Sequence, residues 1–450
     1  MRSSIVLSVA IFTLALAIPG RAVDVGAAIE VAPKAEKTRY QTWASASWSE
    51  GARCWLVVWR EGYLNEPEIG SDIWCARVAS DGKPLDPAGI RLTTGKGLKD
   101  RPRVASNGNG SAAAGKGWLV VWEDLSNGKD WDVRAALVSD NPTRQRWHPA
   151  TDFRSERVSG DPSTSSGQGG NAPDAENILV AGGEDNQCRP DVAYSGDNYY
   201  VVWQAQGVSP AQKWKGYSIL GGRVSPEGKV LDKPAELGVN QSQCNLPAVA
   251  SHNGNLLTAF NVTREYVWGY VARREVDSAS GQPKGAPPVP SLHGVPVPNM
   301  KGETLRTPAL VLGPEGGLLV VGSAHKFQWM CSVLAVDKSG GVKGDVRTLG
   351  PKDDRHYNTP RLAVAAAGEK QFLVVEDYLG KGRFNICGWR VSADGTPVDD
   401  ANKVGFGIAV DPAKDSILPA VASGPDGACL VVYSEVRGAD DVKVLARIVK

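Results

Sequence analysis

An all-β fold built from one repeated antiparallel unit is what this 450-residue sequence predicts, and three observations predict it. First, a short apolar run returns seven times: WLVVW ending at Trp59, WLVVW at Trp122, YYVVW at Trp203, LLTAF at Phe260, LLVVG at Gly322, FLVVE at Glu376 and CLVVY at Tyr433. The interval is about 60 residues, the size of one supersecondary unit in a repeat array. Second, the same openings and turns surround each run. Third, the chain stops at Lys450 directly after the third strand of the last unit, while Ala28-Ile29-Glu30-Val31 reads like the fourth strands elsewhere. The expectation is a single seven-bladed β-propeller of four-stranded antiparallel blades, its ring closed by an N-terminal strand that removes the open sheet edges. Six blades is the alternative, because the copies around Phe260 and Gly322 are weak.

The elements follow in chain order. Residues 1–22 read as a secretory signal peptide: Arg2 gives a positive start, Ile5 to Ile18 is apolar but short for a membrane span, and Pro19-Gly20-Arg21-Ala22 offers small residues for cleavage. The remainder, 23–450, is the propeller domain. The third unit shows the grammar most plainly. Pro190-Asp191-Val192-Ala193 opens a first strand, Ser195-Gly196-Asp197-Asn198 turns, and Tyr199 to Trp203 is a second strand apolar on both faces, as a sheet buried between sheets requires. A third strand ends in Arg223-Val224, and Pro226-Glu227-Gly228 turns into a fourth around Leu231, with Glu236 to Val239 close behind. First strands open likewise with RPRVA at Arg101, LPAVA at Leu246, TPALV at Thr307, TPRLAV at Thr359 and LPAVA at Leu418. Gly82, Gly228 and Gly395 supply the positive φ that the later turn needs. Two stretches interrupt the rhythm, 160–177 and 284–304, and read as flexible insertions.

Composition excludes some function classes. Fifty basic residues against 49 acidic give a net charge of +1, with none of the basic footprint of a nucleic-acid binder. No polybasic segment favours a membrane surface, and no membrane insertion is expected once the signal is removed. The seven cysteines are odd in number, and no Cys/His cluster has zinc spacing, so neither a metal nor another cofactor is expected. Cys188 with Cys244, at equivalent positions of adjacent units, and Cys54 with Cys75 are the candidate bridges.

The combination PxVA, LVVW and RVSxDG resembles the repeats of exported bacterial β-propeller proteins, mostly of unassigned function, over nearly all of the mature chain. It implies the architecture and a secreted or periplasmic location, not a chemistry. The SxDxGxTW turns of sialidase-type propellers and the Gly-His and Trp-Asp signatures of WD repeats are missing from the sequence.

Candidate functional residues gather on the face shared by first-strand openings and second-strand exits. Near the axis it should present Arg39, Arg101, Arg189, Arg306, Arg355 and His356, suited to a carboxylate, sulfate or phosphate. The exits Arg60-Glu61, Glu123-Asp124, Glu376-Asp377 and Glu435 offer carboxylates of the kind glycoside hydrolysis pairs. Fourteen tryptophans include Trp131, Trp214, Trp268 and Trp329 in or beside variable loops, where rings can meet a sugar or a protein. With no catalytic signature in the sequence, the expectation is a non-catalytic, monomeric binding or scaffold propeller that presents its loop-rich face to a glycan or extracellular protein. The alternative is a carbohydrate-active hydrolase or lyase using carboxylates on that face.

Overall fold

Each apolar run becomes the second strand of an antiparallel sheet, and the turn residues on either side set where its partners begin. The computed structural model describes residues 22–35, 40–62, 70–95, 97–108, 117–139, 177–207, 216–238, 243–264, 268–285, 304–325, 328–351, 361–380, 382–439 and 441–450. The signal segment 1–21 and most of both insertions lie outside them.

After the short β1 (Ile29–Glu30) comes a sheet of β2 (Tyr40–Ser49), β3 (Cys54–Gly62), β4 (Ser71–Ala79) and β5 (Ile90–Arg91). Next are β6 (Lys99–Ser106), β7 (Gly117–Asp124), β8 (Asp132–Ser139) and β9 (Ile178–Ala181). The third sheet holds β10 (Gln187–Ser195), β11 (Asn198–Gln206), β12 (Tyr217–Val224) and β13 (Ala235–Glu236). The fourth has three strands among the described residues, β14 (Gln243–His252), β15 (Asn255–Arg264) and β16 (Trp268–Asp277). Then follow β17 (Thr304–Gly313), β18 (Gly316–His325), β19 (Gln328–Val336) and β20 (Val342–Leu349), and after them β21 (Leu362–Ala366), β22 (Gln371–Gly380), β23 (Arg383–Ser392) and β24 (Phe406–Ala409). Last are β25 (Asp415–Ser423), β26 (Cys429–Gly438) and β27 (Asp441–Val449).

The fold is all-β and propeller-like. First strands pack side by side: β2 on β6, β6 on β10, β10 on β14, β14 on β17, β17 on β21, β21 on β25, and β25 on β2. The N-terminal segment adds to the last sheet, with Ile29 opposite Ala446 and Glu30 opposite Leu445 in antiparallel register. Asp24 and Lys450 exchange backbone hydrogen bonds of 3.0 and 2.9 Å.

The core lies between sheets. Trp59, Trp122 and Trp203 are buried, each facing the preceding sheet, as continuous apolar runs demand. The tryptophans that open second strands reach further back: Trp55 Nε1 donates to the Ser423 carbonyl at 2.9 Å and Trp118 Nε1 to that of Ser47 at 3.1 Å. Truncating one such side chain costs about 3–5 kcal/mol. None of the seven cysteines forms a disulfide. In the ladder Cys54 stands opposite Ala79 and Cys75 opposite Val58, so the two are offset along the strands rather than facing. No helix among the described residues is long and apolar enough to cross a membrane.

Candidate active site

One backbone device, repeated around the first strands, builds the site. Six of the described first strands slip register at their opening, five of them across a Pro: between Thr42 and Ser45, Asp100 and Arg103, Cys188 and Asp191, Asn245 and Ala248, Arg306 and Ala309, and Ile417 and Ala420. The residue at each bulge has positive φ although none is glycine: Trp43 (55°), Arg101 (49°), Arg189 (52°), Leu246 (54°), Thr307 (49°) and Leu418 (57°). Such a conformation costs about 1–3 kcal/mol and persists only where the surroundings hold it. The polar residue at a second-strand exit does the holding. Glu123 accepts the Arg189 N–H at 2.6 Å, Gln204 that of Leu246 at 3.4 Å, and Asp377 that of Leu418 at 3.3 Å. Arg60 works through an intermediary: it lies 3.6 Å from Asp100, which accepts the Arg101 N–H at 2.8 Å.

The bulges turn side chains into a cavity of about 340 Å³ bounded by all seven first-strand openings. Among the described residues its wall carries Arg101, Arg103, Arg189 and Arg361 against a single acid, Asp191. The guanidinium carbons of Arg101 and Arg361 lie over the Trp43 ring, 4.7 and 5.3 Å from its centroid, a cation–π arrangement that fixes both. Burial pulls Arg189 below the usual arginine range, and the neighbouring Arg101 adds to the effect. Arg361 is lowered by burial, opposed by Asp377 and reinforced by Arg101 and Arg103.

Burial also moves the acids. Asp191, 3.9 Å from Arg103 and accepting the Val249 N–H at 2.8 Å, is raised by desolvation that Arg103 only partly offsets. Glu123 is raised by burial against the pull of Arg101. Asp377 reaches about 6 through burial, even though the backbone N–H groups of Arg361 and Leu418 favour its charged form. Glu376 goes to about 8, through burial and the Asp377 charge.

The sequence-derived candidates divide. Arg101 and Arg189 line the cavity, while Glu123 and Asp377 stand directly behind it on the backbone of Arg189, Arg361 and Leu418. Asp124 turns away and accepts the Trp122 indole N–H at 3.0 Å, and Glu61 does the same for Trp59 at 2.8 Å. Glu376 occupies the core position that Trp59, Trp122 and Trp203 fill in other units, facing the fifth sheet rather than the cavity. Trp131 lies before β8, its N–H bonded to Asn186, and Trp329 stands opposite Ala324 in β19. Arg306 is in the β17 ladder opposite Gly322, its side chain outside the described residues, as are Arg39, Trp214, Arg355 and His356 altogether. Trp43, Arg103, Asp191 and Arg361 were not among the sequence candidates. The signal for three of them was present: the position after the opening Pro is Ala248, Ala309 or Ala420 in some units but Arg103, Asp191 or Arg361 in others. Among the described residues no group of three or more His, Cys, Asp or Glu is placed to hold a metal ion.

No family model and no curated protein sequence matches this chain. Solved structures are similar in fold. The polysaccharide lyase Uly1 aligns with a TM-score of 0.53 at 12% identity over 88% of each chain. A protein of unknown function from Dyadobacter fermentans DSM 18053 gives 0.50 and 12%, covering 96% of this chain and 100% of that one. Trypanosoma rangeli sialidase gives 0.44 and 10%, over 82% of this chain and 56% of that one, too distant to carry an argument. Uly1 is named as a polysaccharide lyase, and this corrects the expectation of a non-catalytic binding or scaffold propeller in favour of its alternative. At these identities the likeness itself shows the fold alone, a propeller-like all-β array.

Proposed function

We propose that this chain is a carbohydrate-active hydrolase or lyase working in the axial mouth of a seven-bladed propeller. The cyclic packing of first strands and the pairing of β1 with β27 support seven blades and closure by the N-terminal strand. The 1–22 segment supports export, to the periplasm or beyond, where a glycan is the partner.

The observation that carries the reading is the convergence of four arginines and one desolvated acid on a single cavity. Asp191 is the carboxylate on the wall, and burial, partly offset by Arg103, raises it in the direction that favours proton transfer. Arg189 and Arg361, already fixed by their backbone bonds to Glu123 and Asp377, can stabilise negative charge as it develops, with little reorganisation. In an elimination Asp191 takes the proton from carbon and returns it to the departing glycosidic oxygen as the C–O bond breaks and the C=C bond forms, while the guanidiniums carry the charge that develops between the two transfers. In a hydrolysis Asp191 is the proton-transferring carboxylate, and Asp377 is a positioning group behind Arg361.

The test is a polysaccharide panel assayed for reducing ends and for unsaturated sugar, with Asp191→Asn as comparison. The substitution should lower kcat by at least about 100-fold while leaving thermal unfolding unchanged. Absence of turnover on every glycan, or full activity in the variant, would overturn the proposal.

A further inference from the structure

Among the described residues, three arginines of the mouth, Arg101, Arg189 and Arg361, lie without a close carboxylate partner for their guanidiniums. Arg101 has carboxylates at 3.8 Å (Asp100) and 4.0 Å (Glu123), both beyond hydrogen-bond distance, and its Nε is buried without an acceptor. Glu123 and Asp377, the acids nearest Arg189 and Arg361, are committed to backbone N–H groups. Asp191 faces Arg103 instead. On the same wall the Thr307 hydroxyl is buried and without a hydrogen-bond partner. Burying uncompensated donors is costly, and a structure that repeats a strained bulge to place them has a use for them.

From this geometry we infer that the mouth takes an acidic sugar residue, its anionic group held by Arg101, Arg189 and Arg361. Thr307 is placed for a sugar hydroxyl. The inference rests on the glycan-directed reading above and narrows it to anionic glycans. Guanidinium forks match a carboxylate or sulfate ester with paired charge-assisted bonds, which a neutral sugar cannot accept equally. Burial, and to a smaller extent the neighbouring arginines, lower Arg189 and Arg361, and an incoming anion offsets both effects. The cavity, about 340 Å³, lies at the small end of ligand sites and suits a short stretch of chain. Trp43 is a positioning residue here, because both Arg101 and Arg361 lie over its ring.

Titration calorimetry on the full chain tests this with three sets of probes. These are tetrasaccharides of galacturonate, glucuronate-containing hyaluronan and mannuronate; their carboxyl-reduced counterparts; and a sulfated neutral tetrasaccharide. At least one uronate or the sulfated probe should bind, with its neutral counterpart at least about tenfold weaker, and the affinity should fall as salt rises. Preference for the uronates assigns a carboxylate, and preference for the sulfated probe a sulfate ester. Arg189→Ala and Arg361→Ala should each weaken binding about tenfold or more. Arg189→Lys, which keeps the charge and loses the fork, should fall between. Arg53→Ala, at an exposed turn paired with Glu50, should change nothing. Equal binding of acidic and neutral probes, or arginine variants that bind acidic probes as well as wild type, would sink the inference. Turnover of a neutral polysaccharide under those conditions would leave the enzymatic reading standing alone.

Discussion

At the scale of single residues, departures from the repeat carry the information. Glu376 stands where other units place tryptophan, and burial lifts it from an ordinary 4.5 to about 8. A carboxyl raised on folding stabilises the fold fully below its unfolded pKa, and that contribution is lost as pH climbs through the folded value. Glu376 therefore makes the protein less stable as pH rises from about 4.5 to about 8, by on the order of a few kcal/mol, with no further change above. Glu376→Gln should leave the melting temperature at pH 5 nearly unchanged and raise it at pH 9. Calorimetric melts across that range check it, and parallel curves for the two proteins would refute the assignment. The sequence displayed this residue as an odd letter in FLVVE, but its burial is a property of the neighbouring sheet, where Gly322 and Cys331 stand. Asp191 is the converse. In the sequence it stands only as part of the strand opening Pro190-Asp191-Val192-Ala193, and it is the bulge, which rotates the next residues into the cavity, that makes it part of the wall.

At the scale of elements, hairpins three to four are braced by a pair nine residues apart. Arg77 and Asp86 meet at 2.9 Å, Arg223 and Asp232 at 2.7 Å, Arg390 and Asp399 at 2.7 Å. The fourth unit reverses the charges, with Glu275 2.8 Å from Lys284. The two versions are not equivalent. Each aspartate also accepts its arginine's backbone N–H, at 2.8, 2.9 and 2.6 Å, whereas Lys284 is half exposed and its own N–H goes to the Glu275 carbonyl, at 2.9 Å, not to the carboxylate. Asp232→Ala should cost about 1–3 kcal/mol and Lys284→Ala under about 1 kcal/mol in denaturant unfolding. Equal losses would mean that the backbone bond contributes nothing. Repeats, turns and strand order were legible from the sequence, since apolar period and glycine placement encode them locally. The bulge was not, because Arg101, Leu246 and Thr307 have no chemistry in common that favours positive φ. What imposes it is the exit residue of a neighbouring unit, distant in sequence.

At the scale of the molecule, the N-terminal segment covers what the last sheet leaves open. Val31 and Ala32 are buried in the same cluster as Trp59, Trp74, Val432 and Val444. Deleting residues 22–32 should lower the melting temperature and promote association through the bared edge of β27, measured by scanning calorimetry and light scattering. A truncated chain as stable and monodisperse as the full one would refute closure. The pairing of Ile29 and Glu30 with β27 involves residues that carry the repeat's strand pattern in the sequence itself.

That pairing also orders events during synthesis. β1 is made first but finds its partner only when Val442 to Val449, at the far end, has emerged. Until then the Trp59 face of the first sheet has no cover, however well the intervening units have folded. Long-range contacts of this kind are slow to form, and apolar surface is exposed while they wait. A chain of this design therefore keeps that apolar face bare until its last residues are in place, and one cut off shortly before them should aggregate more readily than the full chain.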